Sequence, residues 1–299
     1  MLSTILPPCR KPSPSLLLLL LVLACLPLHA QQHQKLSPAT TLTPIPPGLT
    51  LPIQISHALH AGSTKPGTPI TATTTQRIPL ANHLYLHHGA RVLGTVIASN
   101  PADPRTAQPA SLTLRFTTLR YKNQTVPITA RILAIANFTQ VDDTRLPANG
   151  ATDRGNSNPA SWTTQQIGQD EVYRSGWVGP VFNATSHRVG FADYSGVYAD
   201  PPPNATGNAA IPRAMGVFST TAHGLYGFED GAAIQSTLPD TTITSPHSLV
   251  LRDGDHLLLE VLPNPASPPI PPANPHNRAK LILWPLPRQP IPSSRQPPP

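Results

Sequence analysis

Ten of the fifteen aromatic residues in this chain fall between Trp162 and Phe228. Six of them, Trp162, Tyr173, Trp177, Tyr194, Tyr198 and Tyr226, form the candidate ligand-binding set. Aromatic faces stack on sugar rings, or anchor a protein partner through large buried area at low entropic cost. The competing reading is structural: a segment poor in Leu and Ile can build a small core of its own from aromatic rings. Gly168, Gly176, Gly179, Gly190 and Gly196 run through the same segment and favour tight turns and close backbone packing, which fits both readings.

Catalytic chemistry has less to work with. The only glutamates are Glu171, Glu229 and Glu260. Asp170-Glu171 and Glu229-Asp230 are adjacent pairs, and neighbours on a strand point to opposite faces. A paired-carboxylate glycosidase would therefore need the fold to bring together carboxylates such as Asp170, Glu171, Asp193 and Glu229. There is no Gly-x-Ser-x-Gly elbow, phosphate loop or His-Glu-x-x-His helix. The nearest string to an aspartic-protease Asp-Thr/Ser-Gly is Val141-Asp142-Asp143-Thr144-Arg145, and Arg145 breaks it. His83, His87 and His88 cluster, as do His57 and His60, and a zinc or copper ion would need about three or four such ligands. His87-His88 ahead of Gly89 reads more simply as a polar loop tip. No catalytic residue, metal ligand or cofactor is assigned. Four Asn-x-Thr strings, at Asn123, Asn137, Asn183 and Asn204, read as a by-product of Thr-rich composition.

The elements that must position these residues are strands. With 40 Pro, 18 Gly, many Thr and 12% charged residues, the chain is poor in helix formers and suited to short strands between turns. Leu49-Thr50-Leu51-Pro52-Ile53-Gln54-Ile55 alternates apolar and polar after Pro46-Pro47-Gly48, and Ser111 to Thr117 does the same, so each is predicted as a half-buried strand. Leu112 to Leu119 and Val126 to Ala136, joined by Arg120 to Gln124, suit a hairpin. A weak internal echo places Leu51, Ile53 and Ile55 after Gly48, Val92, Gly94 and Val96 after Gly89, and Leu257, Leu259 and Val261 after Gly254. Three glycine-led strands in one phase point to equivalent strands of a sandwich or barrel.

Leu16 to Leu26, an apolar run of about 11 residues behind Arg10-Lys11 and ahead of Leu28-His29-Ala30, has the pattern of an export signal and is too short to span a ~30 Å hydrocarbon core. The mature chain is thus expected outside the cytoplasm. Cleavage after Ala30 leaves a soluble chain starting at Gln31. Val22-Leu23-Ala24-Cys25 also resembles a lipobox, in which Cys25 becomes the lipid-modified first residue. Intact-mass analysis of the exported protein is expected to give a chain beginning at Gln31, and a diacylglyceryl group on Cys25 is the outcome that overturns this cut. Cys9 is lost either way, so no internal disulfide is available and stability must come from a packed core.

Without Arg10 and Lys11 the formal charge falls from +7 to +5. Arg278, Lys280, Arg288 and Arg295 lie in the last, Pro-rich stretch, so the remainder is close to neutral and no basic stripe suited to nucleic acid appears. The predicted organisation is a signal at 1–30, a flexible tether at 31–45, a β domain at 46–263 with a Gly- and aromatic-rich insertion at 139–230, and a Pro-rich disordered tail at 264–299. Leu281 to Leu286 is the tail's apolar island, either folding back on the domain or docking on a partner.

Ile70 to Leu133 carries a resemblance, through Arg77-Ile78-Pro79-Leu80, the run Leu84 to Val96 with Gly89 and Gly94, and the hairpin Leu112 to Ile135. It resembles uncharacterised secreted proteins of acidobacteria and is remotely similar to the β-barrel domain of TrbI-like conjugation-channel proteins. In that family a glycine-led strand with a second glycine enters the barrel and a hairpin follows. His223-Gly224-Leu225-Tyr226-Gly227 sits where both groups carry a small-residue turn. The likeness spans roughly 90 of the 299 residues. About 85 residues separate Phe138 from His223 and no transmembrane segment follows the signal, so what the resemblance implies is the fold.

The expected protein is mainly β, a β-sandwich or partly open β-barrel with an irregular aromatic-rich insertion and disordered Pro-rich termini. The expected role is non-catalytic binding or structural assembly, secreted or periplasmic, with an outer-membrane lipoprotein as the alternative location. Its partners would be an envelope protein or a polysaccharide, not nucleic acid, and it would meet the membrane only through the signal or a lipid anchor. The alternative is a periplasmic polysaccharide hydrolase that uses the aromatic segment as a substrate platform.

Overall fold

The computed structural model describes residues 45–146 and 161–263. Five long strands come first: β1 (Thr50–Ile55), β2 (Pro69–Thr74), β3 (Arg91–Asn100), β4 (Ala110–Tyr121) and β5 (Gln124–Ala136). After the short helix α1 (Phe138–Asp143) come β6 (Ser161–Gln165), β7 (Glu171–Ser175), β8 (Gly179–Phe182), β9 (Arg188–Asp193), β10 (Gly196–Ala199) and β11 (Arg213–Ala214). Then follow β12 (Gly224–Tyr226), the hairpin of β13 (Ala233–Thr237) and β14 (Asp240–Ser245), and finally β15 (His256–Leu262).

Strands β1 to β5 form an antiparallel meander, and β15 pairs antiparallel with both β5 and β1. The result is a closed six-stranded barrel. Of the two expected architectures the chain takes the barrel, and it closes the barrel instead of leaving it partly open. Closure removes the unpaired edges that an open sheet exposes.

The interior follows the predicted phase. Leu51, Ile53 and Ile55 from β1, Val92 and Val96 from β3, and Leu257, Leu259 and Val261 from β15 are all buried in one core. Each of these strands follows a glycine with positive φ: Gly48 at 84°, Gly89 at 80° and Gly254 at 94°. Their N–H groups donate to Val261 O, Thr74 O and Ile55 O, so each glycine turns the chain onto the strand that the new one will pair with. Gly94, the second glycine of the pattern, serves packing. A Cβ there would lie 2.5 Å from Arg115 O and 2.9 Å from Phe116 Cδ1, so the missing side chain is what admits the buried Phe116 ring.

Strand β4 belongs to two layers. Its second half pairs with β5 from Phe116 onward, while Ala110 to Leu114 pair with β14. Where β4 leaves β5, the Ile132 N–H donates to Thr241 Oγ1 at 3.3 Å instead of to a β4 carbonyl, and Ile243 fills the core beneath.

Two expectations need correction. The outer faces of β1 and β15 are covered over part of their length rather than open to solvent. Leu258 is 1% exposed and packs with Ala134, Ala136, Val141, Ile167, Met215 and Phe218, all but two of them from the inserted segment. On β1, Thr50 is buried and its Oγ1 donates to Ala214 O at 2.6 Å. The half-buried reading of Leu49 to Ile55 fails because the segment between β5 and β15 folds back over that side of the barrel. That segment is also more regular than its composition indicates, since β6 to β11 form a six-stranded antiparallel meander in chain order. Gln76 joins this sheet to the barrel. Its Oε1 accepts from Val197 N at 3.1 Å and Gly216 N at 2.9 Å, and its Nε2 donates to Val197 O at 3.0 Å.

Ile45, placed by sequence at the end of the tether, is buried in the barrel core. The signal, the rest of the tether, Cys25 and the Pro-rich tail lie outside the described residues.

Candidate functional site

The core of the inserted sheet is aliphatic, built from Val172, Val181, Ala192 and Val197. Half of the ten rings pack in the other cores, Phe191, Tyr198 and Phe228 in that of the barrel and Phe218 and Tyr226 in the outer cluster, and strand alternation sorts Trp162, Tyr173 and Phe182 onto two faces. Trp162 is the cross-strand partner of Arg174 on β7, which puts it on the valine face. Trp177, in the β7–β8 turn, meets Trp162 edge-on at 5.5 Å, and its carbonyl accepts from Arg174 Nη1 at 3.4 Å. Tyr173 lies on the opposite face, edge-on to Phe182 at 5.4 Å. Its hydroxyl donates to Glu171 Oε2 at 2.7 Å, and the carboxylate beside it raises the phenol pKa. Trp177 is 60% exposed and Tyr173 45%. One end of the inserted sheet thus presents an aromatic pair on each side.

The other three residues of the candidate set lie elsewhere. Tyr194 stands at the β9–β10 turn, 79% exposed, on a turn held by Asp193 Oδ1 accepting from Ser195 N and Gly196 N. Tyr198 is corrected to a structural role. It is buried, stacked on Phe191 at 5.2 Å, and donates its hydroxyl to Arg77 O at 3.0 Å. Burial first, and then the charge of Asp193, push its pKa up to about 12. Tyr226 is half-buried and lines a separate groove.

That groove, about 290 Å³, runs between α1 and the Gln165 to Gln169 loop. Capping fixes α1: Asn137 Oδ1 accepts from Gln140 N at 3.0 Å, Asn137 Nδ2 donates to Gly227 O, and Asp255 Oδ1 accepts from Phe138 N at 2.9 Å. The facing loop is held by Ile167 N donating to Val217 O and Ser219 N to Ile167 O. Gln140, Asp143 and Thr144 come from the α1 side, Gln165, Gln166 and Gln169 from the loop, and Tyr226 from β12. Sequence reasoning missed this site, because Gln140 and the Gln165-Gln166 pair meet only through the fold.

The four carboxylates of a hypothetical hydrolase serve four different local structures. Asp170 Oδ2 accepts from Thr220 N and Oγ1, each at 2.7 Å. Asp193 holds its own turn and pairs with Arg77 at 3.4 Å. Glu171 takes the Tyr173 hydroxyl. Glu229 accepts from the Ser245 hydroxyl and from His247 N at 2.8 Å, and these bonds, that from the hydroxyl above all, hold its pKa down at about 2. Among the described residues no three His, Cys, Asp or Glu side chains are placed to hold a metal ion. His87 stacks on Tyr121 at 6.0 Å, and His57 Nε2 lies 3.1 Å from Pro69 O.

No protein-family model, curated protein or solved structure matches the chain.

Proposed function

We propose that this chain is a secreted or envelope-associated, non-catalytic β protein that binds or assembles with a partner through its inserted sheet. The observation that carries the reading is the exposure of Trp177, Tyr173 and Tyr194 on a sheet fastened to a closed barrel. Large rings kept in water on a rigid support suit an interaction surface, and such rings are over-represented among the residues that dominate binding energy. The partner is an envelope polysaccharide or an envelope protein.

The alternative, a polysaccharide hydrolase, asks for two carboxylates flanking one bond at roughly 5–10 Å. Asp170, Glu171, Asp193 and Glu229 are each engaged locally, and among the described residues the groove presents one carboxylate, Asp143. The test is a pull-down of the exported full chain on purified cell-wall polysaccharide and on cross-linked envelope membranes, comparing the native protein with a Trp177→Ala, Tyr173→Ala double variant. Capture is expected to fall at least tenfold, equivalent to about 1.4 kcal/mol or more, with Tm unchanged. Undiminished capture overturns the aromatic surface, and release of soluble saccharide fragments overturns the non-catalytic reading.

A further inference from the structure

We infer that the groove between α1 and the Gln165 to Gln169 loop binds a neutral saccharide. This deepens the binding role proposed above and rests on it, but it places the contact on different residues from the exposed aromatic pairs.

The argument starts from unused hydrogen-bonding capacity. The side-chain amides of Gln140, Gln165 and Gln169 and the carboxylate of Asp143 make no hydrogen bond to another described residue. Two other glutamines are committed to holding the fold. Gln76 spends its amide on Val197 and Gly216, and Gln166, at the base of the groove, places its amide nitrogen 3.0 Å from Gly216 O and 3.1 Å from Phe218 O. Three amides and one carboxylate without a partner among the described residues thus line the same space as a surface of mixed donors and acceptors.

The composition of that surface selects the ligand. Among the described residues no Lys or Arg lines the groove, so none of them offers a phosphate, sulfate or uronate a counter-charge. Each hydroxyl of a sugar is both donor and acceptor, which matches amides that offer both and a carboxylate that accepts. A peptide backbone is the poorer match, because it pairs best with a free strand edge and the free groups here are side chains. Tyr226 adds the apolar ring on which a pyranose face can rest. The volume of about 290 Å³ sits at the lower end of the roughly 300–1,000 Å³ usual for small-molecule sites, enough for about one or two pyranose rings. Both walls are already fixed, α1 by Asn137 and Asp255 and the loop by Val217 and Ser219, so little ordering remains to be done on binding.

The experiment titrates the full chain, labelled with ¹⁵N, with four neutral tetrasaccharides: cellotetraose, maltotetraose, xylotetraose and chitotetraose. At least one is expected to shift the amide signals of Gln140 and of Gln165 to Gln169 in a saturable way. Gln165→Ala and Asp143→Asn are each expected to weaken that binding at least fivefold without a change in Tm, while Asp253→Asn leaves it unaltered. The native titration locates the site even if a variant fails to fold. Saccharide binding whose shifts fall on Trp162, Tyr173 and Trp177 instead overturns the groove and leaves the proposed function standing. Binding of none of the four, or groove shifts produced by a proline-rich peptide alone, overturns the saccharide assignment. Loss of polysaccharide and envelope capture as well would bring down the underlying reading.

Discussion

Leu258→Ala and Leu259→Ala should each destabilise the protein by about 2–5 kcal/mol, the usual cost of emptying a well-packed leucine site. The two residues are neighbours on β15 and point to opposite sides of the barrel wall. Leu259 belongs to the interior with Leu51, Ile53 and Val261, and Leu258 belongs to the outer cluster with Val141, Ile167, Met215 and Phe218. An open wall would make the second substitution cheap, since a leucine in water loses little on truncation. Here the register slips between Leu258 and Leu259 where β15 meets β5, and both side chains are enclosed. Either loss is a large fraction of the ~5–15 kcal/mol that holds a typical domain together. Urea unfolding of the two variants tests this, and a loss at Leu258 below about 1 kcal/mol would show that the inserted segment does not pack on the barrel. A further distinction is available from the slope of the transition. Detachment of the insertion in the Leu258 variant would expose surface before global unfolding and lower the apparent m-value, an effect not expected for Leu259.

The interior of the barrel was legible because it depends on neighbours in sequence. Period-2 alternation placed Leu51, Ile53, Ile55, Leu257, Leu259 and Val261 correctly, and the three positive-φ glycines marked where each strand begins. The outer clusters were not legible, because what covers Leu258 and Thr50 comes from residues up to 164 positions away, as with the Thr50 bond to Ala214. The same limit separates Tyr198 from Trp177. Both are aromatic residues beside a β-turn in a Gly-rich segment, but Tyr198 donates to the Arg77 carbonyl and is buried, whereas Trp177 stands exposed in the β7–β8 turn. The groove was invisible for a related reason: glutamines carry no periodic signal, and side-chain amides become a site only when the fold leaves them unpaired.

Acid should weaken the fold through His256, and the pH window follows from its surroundings. The ring is 4% exposed, at the start of β15, where its backbone pairs with Ala136 of β5 and Gln54 of β1. Neither Nδ1 nor Nε2 has a hydrogen-bond partner among the described residues. Burial first, and then the positive charge of Arg145 beyond α1, hold the imidazole pKa down at about 4. The neighbouring carboxyl, Asp255, does not offset this: it already accepts from Arg252 N and Phe138 N, and burial raises its own pKa. In the unfolded chain the same histidine titrates near 6.5, so below that pH the unfolded state takes up a proton that the native state refuses. Its contribution is therefore fully present above about pH 6.5 and is lost as pH falls toward 4, at about 1.4 kcal/mol per pH unit and on the order of 3 kcal/mol in all. Glu229 acts lower, because its folded pKa of about 2 places its loss below the ordinary carboxylate range. Asp255 acts with the opposite sign, its raised pKa favouring the native state as it protonates. Urea unfolding of the native protein and of His256→Leu at intervals from pH 7.5 to 4.5 isolates the histidine from both carboxyls. The native protein should lose stability steadily below pH 6.5 and the variant should lose markedly less. Parallel slopes in the two proteins would mean that His256 gains a proton in the folded state as readily as in the unfolded one, and that the site between β15, α1 and Arg145 is open to water.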